Sequence, residues 1–573
     1  MHLISMGFIL VALLSVFQIS TFRIKKSKAK KFIFALFFGL FNFLLFIFYC
    51  ISIYGYFHWS SQFTIELFNA YVTQFHTLLS IIGLPISVVI AAALIFFFCF
   101  FALYFYLSKH VLILNKNPKT IKPIKVKLFA LEISFMPMAW ARILALICLC
   151  LYIATHKLWI SRDLFHIAVN NDWSLSNLAP SELFLNRHEP YKTIFKESEP
   201  KYRPIVLITV DALRVDQMGV YGSGVDNTPF LSSLLRNQKL QKFDGAYSVC
   251  TVSFCGLLGI LRSNDWSGLR KTSPSIADVL KVYGYQTIFL LGGDHTNFGS
   301  LKKFYGDNIY FYRDGSTDSK KYPNDDFDVI RWVKEVNLRD AQSSFLYIHL
   351  MSVHEAGLHH DDFKKWQPSS VSLATSALSG IKVSKEYELA YKNNYNNGIL
   401  QADYAISEIF NELKKKGVLD NALVIISADH GEYLGEFNRF GHGREPYEPV
   451  SRIPLLVYDP LNPRYPDRSL VSQVDIVPTF LYAIGVKRPP DWQGIPLQVK
   501  SERVSVSIAS KEVSGIVALS GGKKIKYLVK REDGSEQLYI LESTESESLN
   551  VASLPQNRET LKKLRIINKA KPD

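Results

Sequence analysis

The hydrophobic pattern changes character near residue 156. Before it, apolar side chains run in long blocks: about 3–22, 32–54, 79–107 and 130–155. Each block offers roughly the 20 apolar residues that a helix needs to cross the hydrocarbon core. From residue 203 the blocks shrink to strand length and alternate with segments of helical period. PIVLITVDALR (204–214) predicts a buried strand ending at Asp211, and TPFLSSLLRNQ (228–238) a helix. SIADVLKVYGYQTIFLLGG (275–293) reads as helix, glycine turn and second strand, and SSFLYIHLMSVHE (343–355) as a third. YNNGILQADYAISEIFNELKKKG (395–417) is an amphipathic helix, and NALVIISADHG (421–431) is the next strand. Strands alternating with helices predict an α/β domain, its sheet mainly parallel with helices on both faces. A small antiparallel addition is expected near 505–540, including KKIKYLVKREDGSEQLYIL (523–541). The expected organisation is a transmembrane helix bundle over 1–156, a polar linker over 157–200 and an extracytoplasmic domain over 201–573.

Charge sets the orientation. The net charge is +14, and many of the lysines fall between apolar blocks, in RIKKSKAKK (23–31) and in the loop 108–127. Loop 55–78 has no Lys or Arg. Basic loops stay on the cytoplasmic side, so the loop between them and everything after 156 lie outside. Residues 62–78 also suit a fifth, interfacial or re-entrant helix. The first block lacks a basic leader and a small-residue cleavage site, so it reads as a retained helix. In a bacterium the large domain would then face the periplasm or exterior from the inner membrane. No nucleic-acid-binding motif accompanies the basic balance, which excludes nucleic acid as the expected partner. Cys50, Cys99, Cys148 and Cys150 sit in apolar blocks, leaving Cys250 and Cys255 as the only cysteines of the soluble part.

Polar residues with ligand chemistry gather at strand ends. Asp211, His354 and the Asp429-His430 pair each end or follow an apolar run, and a second His-Gly pair begins at His442. The carboxyl ends of strands in open α/β sheets are where ligand sites form. Several Asp and His residues at one edge argue for one site. Arg444 can pair with an anionic group, or can serve simply as a surface arginine.

Short motifs carry a family resemblance over nearly all of 203–555. They are VLITVDALRVDQMGVYG (206–222), NTPFLSSLL (227–235), LKVYGYQTIFLLGG (280–293), ISADHGEYLGE (426–436), GHGREPYEPVSRIPLLVYDP (441–460), VSQVDIVPTFLYAIGV (471–486) and LYILESTESESLNVA (538–552). In this order they resemble the sulfatase-like branch of the alkaline phosphatase superfamily. Apolar helices ahead of such a domain look like the phosphoglycerol and phosphoethanolamine transferases of the bacterial envelope, lipoteichoic-acid synthase among them. GGDHTNFGSLKKFYGDNIYF (292–311) is similar to the phosphoglycerol transferases, whereas the C-terminal tail is closer to true sulfatases.

The resemblance implies that Asp211, Asp429 and His430 are metal ligands and that His354 and His442 bind the transferring group. It puts the nucleophile in GAYSVCTVSFCGLLGILRS (245–263), where counting back from Ser253 and Leu257-Leu258 selects Cys250. Sulfatases convert that cysteine to formylglycine within Cys-x-Pro-x-Arg, but this chain reads Cys250-Thr251-Val252-Ser253-Phe254. The transferases use threonine, which selects Thr251 after a slip of one residue. Both residues stay candidates, and an oxidising compartment permits a Cys250–Cys255 disulfide that would leave Thr251 as attacker. Mixed oxygen and nitrogen ligation favours Zn²⁺ or Mn²⁺ over Ca²⁺ as cofactor. The expected activity is transfer of a phosphoglycerol- or phosphoethanolamine-type group through a covalent enzyme intermediate. A phospholipid head group would be the donor and an envelope glycan or lipid the acceptor. The alternatives are a membrane-bound sulfatase or phosphodiesterase, and an inactive lipid-binding envelope protein.

Overall fold

The computed structural model describes residues 27–58, 85–111, 124–128, 131–135 and 199–569, except 270–272, 319–321, 370–381, 463, 502 and 542–545. The chain forms two compact units: Met1–Phe68 with Leu84–Trp173, and Asn69–Gly83 with Ser174–Asp573.

The first unit contains helices α1 (Ser27–His58) and α2 (Ile86–Val111). Lys31–Ile53 and Ile86–Ser108 are long and apolar enough to cross a membrane. The two helices pack closely because Gly39 has no Cβ: one there would press on the Phe101 backbone. Phe38 stacks on Tyr104 nearby, with centroids 6.0 Å apart. Of the block expected from residue 79, the described part forms α2 from Ile86, directly after Pro85. The block expected over 130–155 departs from that expectation: Leu131–Phe135 form strand β2, paired antiparallel with β1 (Ile124–Leu128). IKVKL and LEISF alternate apolar and polar residues, the period of a strand. The expected span at 3–22, residues 136–155 and the linker up to 198 lie outside the described residues.

The second unit is built on a seven-stranded sheet. Its strands are β3 (Ile205–Val210), β4 (Gln241–Lys242), β6 (Gln286–Leu291), β7 (Phe311–Asp314), β8 (Ser344–Leu350), β9 (Leu423–Ala428) and β12 (Leu455–Tyr458), in the order β4-β12-β9-β3-β8-β6-β7. β9, β3, β8, β6 and β7 run parallel, while β12 is antiparallel to β9 and β4 to β12. Every residue of β3, β8 and β9 is buried, as expected of near-continuous apolar strands covered on both faces. The helices form two packed sets. One comprises α3 (Pro229–Arg236), α6 (Asp326–Glu335) and α7 (Lys385–Lys415), the other α4 (Ser253–Arg262), α5 (Ile276–Val282) and α8 (Ile476–Ala483).

Smaller pairings flank the sheet: β5 (Ala246–Tyr247) with β13 (Val471–Ser472), and the hairpin β10 (Tyr433–Leu434)–β11 (Phe440–Gly441). The expected C-terminal addition is a four-stranded meander, β14 (Ser505–Ala509), β15 (Val513–Ser520), β16 (Lys523–Lys530) and β17 (Glu536–Ile540). One of its faces buries Ile516, Ala518, Ile525 and Tyr527 against Leu561 and Leu564 of α9 (Arg558–Lys569). The other packs Val513, Val517 and Leu528 against Tyr433, Tyr447 and Val450.

Candidate active site

Strand register builds one corner of the site. β3 and β9 are parallel neighbours with Val210 opposite Ala428, so the next residues, Asp211 and Asp429, emerge side by side at the carboxyl edge. Ligand atoms of Asp211, Asp429 and His430 all lie within 4.8 Å of one another, and all three residues are buried. Their hydrogen bonds leave one oxygen of each carboxylate unused. Asp429 Oδ1 accepts from the Ala212 and His430 amides at 3.1 and 2.9 Å, while Oδ2 has no partner. Asp211 Oδ1 is likewise unpartnered. His430 Nδ1 lies 2.8 Å from the Gly431 carbonyl, which can only accept, so Nδ1 carries the proton and Nε2 is a lone pair. Nε2 is 3.4 Å from Asp429 Oδ2 and 3.9 Å from Asp211 Oδ1. Ligands about 2.0–2.2 Å from a tetrahedral Zn²⁺ would be spaced roughly 3.3–3.6 Å apart. The corner fits one divalent cation.

The turn carrying Asp211 is held from behind. Ala212 takes a left-handed φ of 59°, unusual for a residue with a Cβ. Buried Tyr395 of α7 donates to the Ala212 carbonyl at 2.6 Å and accepts from the Arg214 amide at 2.8 Å. Burial pushes the Asp211 carboxyl up. His354, His349 and His430 outweigh it and hold the group well below the usual carboxylate range.

A second wall carries imidazoles. His442 follows β11; its Nδ1 lies 2.9 Å from Glu432 Oε2, and its ring centroid is 4.3 Å from that of His430 and 5.4 Å from that of His354. Burial pulls His442 down, but the Glu432 carboxylate outweighs it and the imidazole is pushed up to about 9. His354 Nδ1 accepts the Ala356 amide at 3.1 Å, which leaves the proton on Nε2, and burial holds this ring below its ordinary value. Buried Glu355 beside it is pushed up to about 8 by burial and Glu432. Arg444 is half-buried two residues beyond His442 and makes no hydrogen bond or ion pair among the described residues.

The remaining wall is the turn before α4. Cys250 and Cys255 form a disulfide with Cα atoms 6.2 Å apart. Thr251 Oγ1 is buried without a partner, and its carbonyl accepts the Gly443 amide at 2.9 Å. The hydroxyl bonded to the carboxylate corner belongs to Ser253, the first residue of α4: Oγ is 3.2 Å from Asp211 Oδ2 and 3.1 Å from His430 Nε2. α4 comes this close because Gly256 faces the Asp429 backbone, where a Cβ would collide with the carbonyl. The structure thus unites Asp211, Asp429, His430, His354 and His442, and it adds Ser253, Glu432, His349 and Tyr395. Sequence reasoning used Ser253 only as a landmark for counting. A polar residue inside an apolar strand (His349) and the last residue of Asp-His-Gly-Glu (Glu432) were the available signals for two others.

Residues 203–486 match the Sulfatase family model. Over 207 residues the chain is 29% identical to an arylsulfatase of Clostridium perfringens, a match covering 34% of this chain and 42% of that protein. The chain spans less than half the length of the first curated relatives it matches. Among solved structures, the phosphonate monoester hydrolase of Silicibacter pomeroyi aligns with a TM-score of 0.50 at 16% identity, covering 65% of this chain and 96% of that one. The soluble domain of lipooligosaccharide phosphoethanolamine transferase A from Neisseria meningitidis aligns with a TM-score of 0.43 at 15% identity, covering 55% and 94%. The domain has the alkaline phosphatase/sulfatase superfamily fold, with a His/Asp cluster suited to a divalent metal.

Proposed function

We propose that this domain is a metal-dependent hydrolase of phosphodiesters, with Ser253 as nucleophile. The observation that carries the reading is the Ser253 hydroxyl lodged between Asp211 and His430, while the Cys250 sulfur is occupied by Cys255. Asp211 Oδ1, Asp429 Oδ2 and His430 Nε2 would hold one divalent cation. When bound, it supplies Lewis-acid polarisation of the ester and lowers the pKa of a nearby hydroxyl. Ser253 Oγ attacks phosphorus in line, the bond to the leaving alcohol breaks, and that alcohol takes up the proton the serine gives up. Water then cleaves the phosphoserine and restores the hydroxyl. The Nε2–H of His354 and the charged His442 ring would steady the non-bridging oxygens. Arg444 would meet a further anionic group.

Transfer to an envelope glycan or lipid shares the first half of this scheme. The curated relatives that match in sequence are named as sulfatases, so water is the acceptor favoured here. A lipid head-group substrate would gain effective concentration from the apolar helices α1 and α2. Placement outside the cytoplasm of a bacterial inner membrane belongs to the same proposal, supported by the disulfide and the basic loops.

Sulfate-ester hydrolysis is the second reading, favoured by the Sulfatase match and by the position of Cys250. Purified full chain, assayed on bis-p-nitrophenyl phosphate and on p-nitrophenyl sulfate, decides between them. Phosphodiester turnover lost in Ser253→Ala and Asp429→Ala is expected. Turnover of the sulfate ester alone, with formylglycine at Cys250 by peptide mass, would replace this proposal with the second.

A further inference from the structure

We propose that His349 is a positioning residue, which delivers one N–H to Asp211 and so turns that carboxylate's free oxygen toward the cation. The inference rests on the reading of Asp211 as a ligand. His349 lies within β8, opposite Thr209 of β3, and is fully buried. Its ring nitrogens face two different groups. Nδ1 is 2.7 Å from Thr209 Oγ1, and Nε2, buried and without a hydrogen bond among the described residues, is 3.5 Å from Asp211 Oδ2. Thr209 Oγ1 lies 3.2 Å from the hydroxyl of Tyr347, another fully buried residue.

The carboxylate at the end of this row decides how its hydrogens are arranged. An ionised carboxylate only accepts, so Nε2 of His349 carries the proton that faces it. Nδ1 of the neutral ring then accepts, and the Thr209 hydroxyl is its donor. The Thr209 hydroxyl has a second acceptor within reach, the Tyr347 oxygen at 3.2 Å, but the shorter Nδ1 contact at 2.7 Å takes its hydrogen. Each hydrogen serves once, and the row ends on Asp211 Oδ2. The opposite tautomer would point a lone pair at a buried carboxylate, which is unfavourable where little solvent screens it. Asp211 Oδ2 therefore receives the Ser253 hydroxyl and faces the His349 Nε2–H at 3.5 Å, while Oδ1 stays bare. Asp429 follows the same rule, with Oδ1 saturated by two amides and Oδ2 left over. Partners of this kind orient metal ligands, and their loss typically weakens metal binding about 10- to 100-fold.

The test is titration of Zn²⁺ into metal-stripped full chain in detergent, with the melting temperature of the metal-free form measured alongside. His349→Met should weaken Zn²⁺ binding about 10- to 100-fold while the variant stays folded. His349→Gln, which keeps an N–H near the Nε2 position, should recover most of that loss. Unchanged affinity in His349→Met would overturn the inference and leave the ligand assignment standing. Asp211→Asn examines that assignment separately: abolished Zn²⁺ binding upholds it, and retained binding removes it together with the inference. Should His349→Met fail to fold, long-range ¹H–¹⁵N spectra of the metal-free wild type still decide. An Nε2–H tautomer at His349 supports the relay, and an Nδ1–H tautomer overturns it.

Discussion

The two sides of the site are rigid for different reasons. Asp211 and Asp429 project from adjacent, fully buried strands at the centre of the sheet, so their spacing is fixed by the same ladder that holds the core together. Ser253 stands at the end of an irregular turn, and its place depends on ties from elsewhere. The Cys250–Cys255 bond closes the turn, the Gly443 amide binds the Thr251 carbonyl, and the Ala509 amide of β14 binds the Val249 carbonyl. A ladder loses stability as a whole, whereas ties can be cut singly. The turn side should therefore lose alignment under changes that leave the strand-end corner intact.

The largest expected effect comes from Lys526, a fully buried ammonium 2.9 Å from both Glu448 and Glu547. Lys526→Met leaves buried Glu547 and half-buried Glu448 without their cation and should cost about 3–5 kcal/mol in denaturant unfolding at neutral pH. Burial, only partly offset by Lys526, pushes Glu547 up to about 7. A carboxyl raised on folding contributes stability that is complete below about pH 4.5 and lost as pH rises through about 7. The penalty of Lys526→Met should accordingly shrink in acid and grow toward pH 8. A constant penalty from pH 4 to 8 would show that Glu547 is not the group left stranded.

Next comes the α4 contact. Gly256→Ala pushes a methyl into the Asp429 carbonyl, and overpacking of this kind should cost about 1–3 kcal/mol in melting experiments. Turnover should fall more steeply than stability, because the helix retreats with Ser253. Cutting the disulfide with Cys250→Ala and Cys255→Ala should remove about 2 kcal/mol and slow catalysis while Zn²⁺ affinity holds. Equal losses of affinity and rate would erase the contrast between the two sides. The smallest effect has the opposite sign. Ala212→Gly relieves a left-handed alanine and should raise stability by about 1 kcal/mol, with metal binding unchanged.

The same contrast governs what the amino-acid pattern reveals. A carboxylate that interrupts an apolar run is visible in one dimension, and parallel pairing does the rest, so Asp211 and Asp429-His430 are legible together. Ser253 is not, because within Cys250-Thr251-Val252-Ser253 no periodicity tells which hydroxyl or thiol turns inward. His349 hides because a histidine inside a strand looks like ordinary core. Tyr395 hides because its role lies in meeting a backbone turn nearly two hundred residues earlier. In the first unit, block length identifies α1 and most of α2, but the alternation in IKVKL and LEISF is the stronger signal at 124–135, where length alone points to a helix.

The buried ammonium of Lys526 also bears on what happens to damaged copies. Glu547 stands 26 residues before Asp573, so a nick just upstream of it removes a counterion from the interior as well as surface chain. Such a fragment would keep Lys526 beneath Pro446 and Ser451 with Glu448 as its one remaining counterion, close to the segment that carries His442. Clipped molecules should then come apart and be cleared, and should not persist as sluggish catalysts.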